Sequence, residues 1–558
     1  MMAGWGVVTT ILAGLLMIGF LVVIHELGHY LVAKIFGIGA PVFSIGIGPR
    51  LVGFRWKGTD WRISALPIGG YVQLEGADPF GDPDGDADVD PSTDFMKKPV
   101  WQRLLVMAAG PVANLVLPVV LFTIVLLLGE PQPDNAVGLV LPNAAAAQAG
   151  IQPGDRIVAV EGERIGVWLD VMDRLADRAG TDTRLTIERG EAVQEIVLPG
   201  SALALTEFDR LDSEPLGMFQ SSYSSRVGVD DPTSPAWRAG LRTGDAIVEV
   251  DGTPVATLEA LRTALEASDD HVVSVLTQEE GSVKRKEGIA LAADPIWSPR
   301  AGDLLADRYG LVPVLVFVGT VTEDGAAAKA GIQANDRLWS IDGHAISDWS
   351  DLVARVGATV TSRTSDAVPR PLDLVVYRDG EQIPTTLTPT IQRDIVISEV
   401  RWRPVMGVMQ YPDVYVDGAI VNKYYSLFEA IPRAVTETKL VAAHTFTSLG
   451  NLLTGELKIQ ESLGGPVEMF RTAAMAAREG MFTFARTMGI ISFGLGVMNF
   501  LPIPVLDGGQ ILFYSIEGLR GRPLSHQLRE RVQAIGVLAL VAVMLLVTVM
   551  DVNRWLAG

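Results

Sequence analysis

The sequence predicts a polytopic α-helical membrane protein with about four spans and a soluble, repetitive insert between the second and third. Three observations carry that prediction. Of the 558 residues 48% are hydrophobic, but these gather toward the two ends of the chain and leave a polar middle. Within the middle, Gly150, Gly240 and Gly331 open the same local pattern at spacings of 90 and 91 residues. Near the N-terminus, His25-Glu26-Leu27-Gly28-His29 interrupts a run that is otherwise apolar.

Composition narrows the chemistry first. There is no cysteine, which excludes a thiol nucleophile, thiolate metal ligands and disulfides. Any metal must therefore be held by histidine and carboxylate. The net charge of −20 argues against nucleic acid as a partner, since its recognition requires a basic face.

The first span is expected over Val7–Phe36. It lacks a basic leading segment and a small-residue cleavage site, so it reads as a retained span and not a signal peptide. A charged or metal-binding group at that depth costs about 2.5–3.5 kcal/mol on insertion scales and is rarely idle. On a helix His25 and His29 stack on one face, with Glu26 beside them. This is the His-Glu-x-x-His arrangement, in which two imidazoles hold one zinc and the glutamate takes a proton from the attacking water.

After the first span, Pro41–Leu74 alternates short apolar runs with glycine and proline, which predicts short β-strands in hairpins. Two roles stay open for them, a β-loop packed at the membrane surface or an edge strand that pairs with an extended peptide. Asp82-Pro83-Asp84-Gly85-Asp86-Ala87-Asp88-Val89-Asp90 has the composition of a calcium loop but lacks the glutamate an EF-hand requires. A solvated acidic insert is expected there.

The second span, Val100–Leu128, follows Lys97-Lys98 and contains Gly110-Pro111-Val112-Ala113-Asn114. The third is expected over Thr487–Val505 and the fourth over Ala534–Met550. Arg50, Arg55, Lys57, Arg62, Lys97, Lys98 and Arg103 follow the first span, and Arg520, Arg522, Arg529 and Arg531 follow the third. Basic loops mark the cytoplasmic side, so the insert and both termini are expected on the outer face.

Each repeat carries an Ala-Gly pair, then Asp155, Asp245 or Asp336, a strand, and a turn at Glu161-Gly162, Asp251-Gly252 or Asp342-Gly343. Another glycine, Gly138, Gly228 or Gly319, precedes the first by twelve residues in every copy. In the third copy Asn335 replaces a glycine, and asparagine best tolerates the same left-handed backbone. The pattern resembles the PDZ domain in its bacterial arrangement. That resemblance implies three α+β domains, at 131–210, 215–300 and 306–395, with peptide-binding loops around Gly138, Gly228 and Gly319. Packed domains that act only as a steric cap remain the alternative. An amphipathic helix at the membrane interface is expected within 415–460. The membrane parts are then 1–130 and 461–558.

Two histidines do not complete a catalytic zinc site, which takes three protein ligands and a water. Glu26 is rotated about 100° from His25 on the helix and suits the role of base. Asp507 is the strongest candidate for the third ligand. It follows Pro502 and Pro504, which break the third span, and adjoins Gly508 and Gly509. Irregular backbone at that depth is tolerated only where it is buried in protein or lines a cavity.

With both motifs in place, the chain resembles the site-2 protease family of intramembrane zinc metalloproteases over nearly its full length. The resemblance implies zinc bound by His25, His29 and Asp507, and Glu26 as catalytic base. It implies substrate contacts at Asn499 and Pro502, with Asn114 packing or polarising near the site. It further implies a bacterial inner-membrane enzyme acting on membrane-spanning proteins, such as an anti-sigma factor or leftover signal peptides. The chain departs from the best-known members in showing three PDZ copies where they carry two. A non-catalytic adaptor would have lost a ligand or the base, and all four groups are present. A transporter would place carboxylates in several spans, and the second and fourth show none near their centres.

Overall fold

A computed structural model describes residues 2–76, 90–141, 144–203, 216–279, 282–294, 297, 308–362, 365–396, 399–455 and 465–557. The acidic run from Asp82 to Val89 lies outside the described residues. The chain divides into a unit of Met1–Glu130 with Tyr424–Gly558 and a second of Pro131–Val396 with Val400–Lys423.

The first unit contains helices α1 (Met2–Ile35), α2 (Val100–Leu128), α3 (Leu427–Thr454), α4 (Pro466–Glu479), α5 (Met481–Phe500), α6 (Asp507–Arg520) and α7 (His526–Ala557). Four of them, α1, α2, α5 and α7, are long and apolar enough to cross a membrane. They coincide with the four expected spans. The third ends at Phe500 and not at Val505, because Pro502 and Pro504 offer no N–H and Leu501 turns to extended backbone. The helix expected within 415–460 is α3. It starts at a capping box of Ser426 and Glu429 and stops at Gly455 in the left-handed region. Helices α4 and α6 lie where no separate helix was expected.

The glycine-rich stretch after α1 forms two long strands, β1 (Val42–Trp56) and β2 (Thr59–Gln73), in place of several short ones. Gly46 and Gly48 take φ of 88° and 99°, which lets β1 bend sharply. Val42 consequently pairs with both Asp60 and Gln73. Trp61 stacks on Phe43 at 4.6 Å and meets Tyr30 of α1 edge-on at 4.9 Å. This end of the hairpin thus joins the core of Tyr30, Ala33, Phe43, Phe95, Val106 and Tyr514. Its far end leaves Leu51, Val52, Phe54 and Trp56 exposed.

Among its described residues the second unit shows three four-stranded antiparallel sheets of identical strand order. Their leading strands are Arg156–Val160, Ala246–Val250 and Arg337–Ile341. The turns that follow have positive φ at both central residues: 49° and 80° at Glu161-Gly162, 49° and 79° at Asp251-Gly252, and 50° and 77° at Asp342-Gly343. These are the mirror-image turns whose twist suits a hairpin. The replacement of glycine by Asn335 survives at φ 72°.

Each repeat is closed by a strand later than the proposed domain limits. Leu139–Val140 pairs with Met218–Phe219, Val227–Gly228 with Val312–Pro313, and Val318–Val321 with Val408–Gln410. Met218, Leu311 and Met406 belong to the cores of the first, second and third copies. The limits at 210, 300 and 395 are therefore too early. Without its closing strand each copy would leave one edge of its core uncovered.

Candidate metal centre

Helix α1 presents His25 and His29 on one face, and both are buried. Their Nε2 atoms lie 3.2 Å apart. Asp507, the first residue of α6, places Oδ2 at 2.9 Å from His25 Nε2 and Oδ1 at 3.5 Å from His29 Nε2. A tetrahedral zinc with bonds of about 2.0–2.1 Å separates its ligands by roughly 3.3 Å. The three donors match that spacing and that chemistry. Among the described residues they are the one group of His or carboxylate side chains gathered this closely.

Local sequence explains how Asp507 arrives there. The prolines end α5, Leu506 donates to the Ile503 carbonyl, and the chain doubles back into α6. Gly508 and Gly509 permit the reversal. A Cβ on either would stand 2.1 Å from the Leu501 carbonyl or 2.3 Å from that of Ile503. Farther along α6, Glu517 receives two hydrogen bonds from Arg103 of α2, at 2.5 and 3.2 Å. The guanidinium also lies over the Tyr514 ring.

Helix α2 forms the opposite wall. The Val106 carbonyl accepts from His29 Nδ1 at 2.7 Å, and the Asn114 amide stands 3.2 Å from His25 Nδ1. Asn499 of α5 reaches the same nitrogen at 3.4 Å. Gly110 faces both Nε2 atoms, where a Cβ would lie 2.3 Å from His29 and 2.7 Å from His25. Glu26 accepts the Val72 N–H of β2 at 2.9 Å, so the hairpin fixes the carboxylate beside the two histidines.

The structure thus brings together His25, His29, Asp507, Glu26, Asn114 and Asn499. Pro502 stands exposed in the turn between α5 and α6. Gly138, Gly228 and Gly319 are not open loop positions. Gly138 gives its N–H to Phe219, and a Cβ at Gly228 or Gly319 would strike Phe317 or the Gln410 carbonyl. Gly228 and Gly319 lie in the strands Val227–Gly228 and Val318–Val321, and Gly138 directly precedes Leu139–Val140, at places where neighbouring chain approaches closely. Sequence reasoning noted Gly110 within the stretch to Asn114 but missed its place against the histidines, and missed Val106 and the Arg103–Glu517 pair. Only Gly110 left a signal, its place four residues before Asn114 on one helix face.

The model of peptidase family M50 matches residues 13–543. The chain belongs to peptidase family M50. It is a metalloprotease of that family. Relatives extend over almost the whole chain. The regulator of sigma-E protease RseP of Salmonella typhimurium is 28% identical over 557 residues, 99% of each chain. That of Escherichia coli K12 is 29% identical over 549 residues, covering 96% of this chain and 97% of its own. Protease RseP of Yersinia pestis is 27% identical over 545 residues, with the same coverage.

Proposed function

We propose that this M50 metalloprotease holds zinc at His25, His29 and Asp507 and cleaves peptide bonds within membrane-spanning segments of single-span proteins. The observation that supports it best is the meeting of Asp507 with the histidine pair on apolar helices. The donors fit zinc in number, type and spacing. Zinc, when bound, polarises the attacking water and the scissile carbonyl.

The chain's own groups supply the rest. Glu26 is held through one oxygen by Val72, which leaves the other to take the proton from water and pass it to the leaving amine. Asn499, half-buried at the end of α5, is placed to donate to the developing oxyanion. A helical substrate hides its carbonyls in internal bonds and must unwind before attack. The bent hairpin offers strand pairing to the unwound segment.

The insert acts, in this reading, as three PDZ domains that exclude substrates with bulky outer parts. Any peptide strand would add to the free side of the closing strands, 218–219, 312–313 and 408–410, each of which follows a left-handed glycine. The protein then sits in a bacterial inner membrane, insert and termini periplasmic, with the site toward the cytoplasm. An already trimmed anti-sigma factor and signal-peptide remnants fit such a filter.

The test is cleavage of a single-span model substrate by the purified protein. Glu26→Gln should keep zinc and lower turnover by about 10²-fold or more. Asp507→Ala should lose both metal and activity. Undiminished cleavage by either variant contradicts the assigned roles.

A further inference from the structure

We infer that Asn114 is a positioning residue for the metal centre, with its side-chain oxygen the acceptor that fixes the ring of His25. The inference rests on the zinc reading above and assigns Asn114 to the metal ligand and not to substrate.

A neutral imidazole has one N–H, and giving Nε2 to a metal places it on Nδ1. A metal-bound histidine therefore requires an acceptor at Nδ1, and such partners set ring orientation and ligand basicity. For His29 the acceptor is the Val106 carbonyl, at 2.7 Å. For His25 two amides converge on Nδ1, Asn114 at 3.2 Å and Asn499 at 3.4 Å.

Burial and backbone separate the two. Asn114 is 0% exposed, while Asn499 is half-buried and open to a substrate. The Oδ1 of Asn114 is buried and has no hydrogen-bond partner among the described residues. Exchanging the two amide ends, which have the same shape, turns that orphaned oxygen onto the Nδ1–H of His25.

The backbone of Asn114 is also held. Pro118 lies inside α2 and has no N–H, so the Asn114 carbonyl loses its helical donor. The hydroxyl of Ser492 on α5 donates to it instead, at 2.9 Å. The residue that orients His25 is thereby fixed to both α2 and α5.

The test measures zinc affinity of the full-length protein in detergent by competition with a chromophoric chelator. Melting of the metal-free form is followed in parallel. Asn114→Leu should weaken zinc by about 10–100-fold, the usual effect of removing such a partner. Asn114→Asp, which keeps an acceptor, should stay near the parent. Asn499→Leu should also keep zinc while lowering turnover. Unchanged affinity in Asn114→Leu overturns the inference, as does equal loss in the Leu and Asp variants. So does loss that follows the melting temperature of the metal-free form alone. A parent protein that binds no zinc would instead sink the functional reading on which this rests.

Discussion

Arg103 and Glu517 form a two-pronged ion pair, 5% and 11% exposed, that ties the second span to the helix headed by Asp507. Arg529 adds a third contact to the same carboxylate at 3.3 Å. Removing one partner of a buried pair leaves the other charge uncompensated, at a cost of about 3–5 kcal/mol. Glu517→Gln should lower the melting temperature in detergent and loosen zinc. The double variant Arg103→Met, Glu517→Met should lose less than the sum of the singles. Strict additivity in a double-mutant cycle would show that the pair does not act as a unit.

Gly110 sets how closely α2 can approach the histidines. Gly110→Ala would place a methyl 2.3 Å from His29 Nε2 and 2.7 Å from His25 Nε2, closer than any relaxed contact. The prediction is loss of metal measured by elemental analysis, with the protein still inserted and folded. Full zinc content in Gly110→Ala would refute it.

Stability of the second repeat should depend on pH through His271. Its buried ring offers Nδ1 to Asp251 at 2.6 Å and Nε2 to the Ser268 carbonyl at 3.0 Å, so both nitrogens face acceptors. Burial alone would lower its pKa, but the bond to Asp251 and the Ser268 carbonyl outweigh it, and the value stands above the usual 6.5. The folded state thus holds a proton the unfolded chain releases. Its contribution is fully present below about pH 6.5 and is lost as pH rises through the raised folded value. Hydrogen-exchange protection of helix Leu258–Glu266, corrected for intrinsic rate, should fall as pH rises above about 6.5. Asp251→Asn should flatten that dependence. A parent profile that is already flat would contradict the assignment.

The left-handed turn of the third repeat should discriminate among small residues. Asn335→Ala forces φ near 72° on a side chain that cannot compensate, at about 1–2 kcal/mol, and removes the bond from the Tyr411 hydroxyl. Asn335→Gly loses only that bond, about 0.5–1.5 kcal/mol. Urea unfolding should rank the parent first, glycine second and alanine last. Alanine above glycine would exclude backbone strain as the cause.

Much of this fold was legible in the sequence, because its signals are local. Apolar length gave the four spans, and i, i+4 spacing gave the histidine pair. The prolines before Asp507 marked where a helix had to stop and a carboxylate could turn inward. The Glu161-Gly162, Asp251-Gly252 and Asp342-Gly343 pairs announced a turn after a strand, and the structure makes each turn the bend of a hairpin. What escaped was non-local. Closing strands of two or three residues are too short to show a period, so the sequence limits fall one strand early. The task of Gly110 depends on a ring from another helix, and no residue next to it in the chain reveals that. The Arg103–Glu517 pair joins residues with more than four hundred between them.

Since the last strand of each repeat comes just before the first strand of the next, the joints between modules fall near residues 224 and 314. Excising the stretch between them would take Val312 and Val314 out of the third core and break the Arg337–Asp230 pair that joins the second repeat to the third. Trimming at the earlier limits would strand an open edge and invite aggregation. The second and third repeats are thus welded along one seam, and neither can be removed without rebuilding the other's edge.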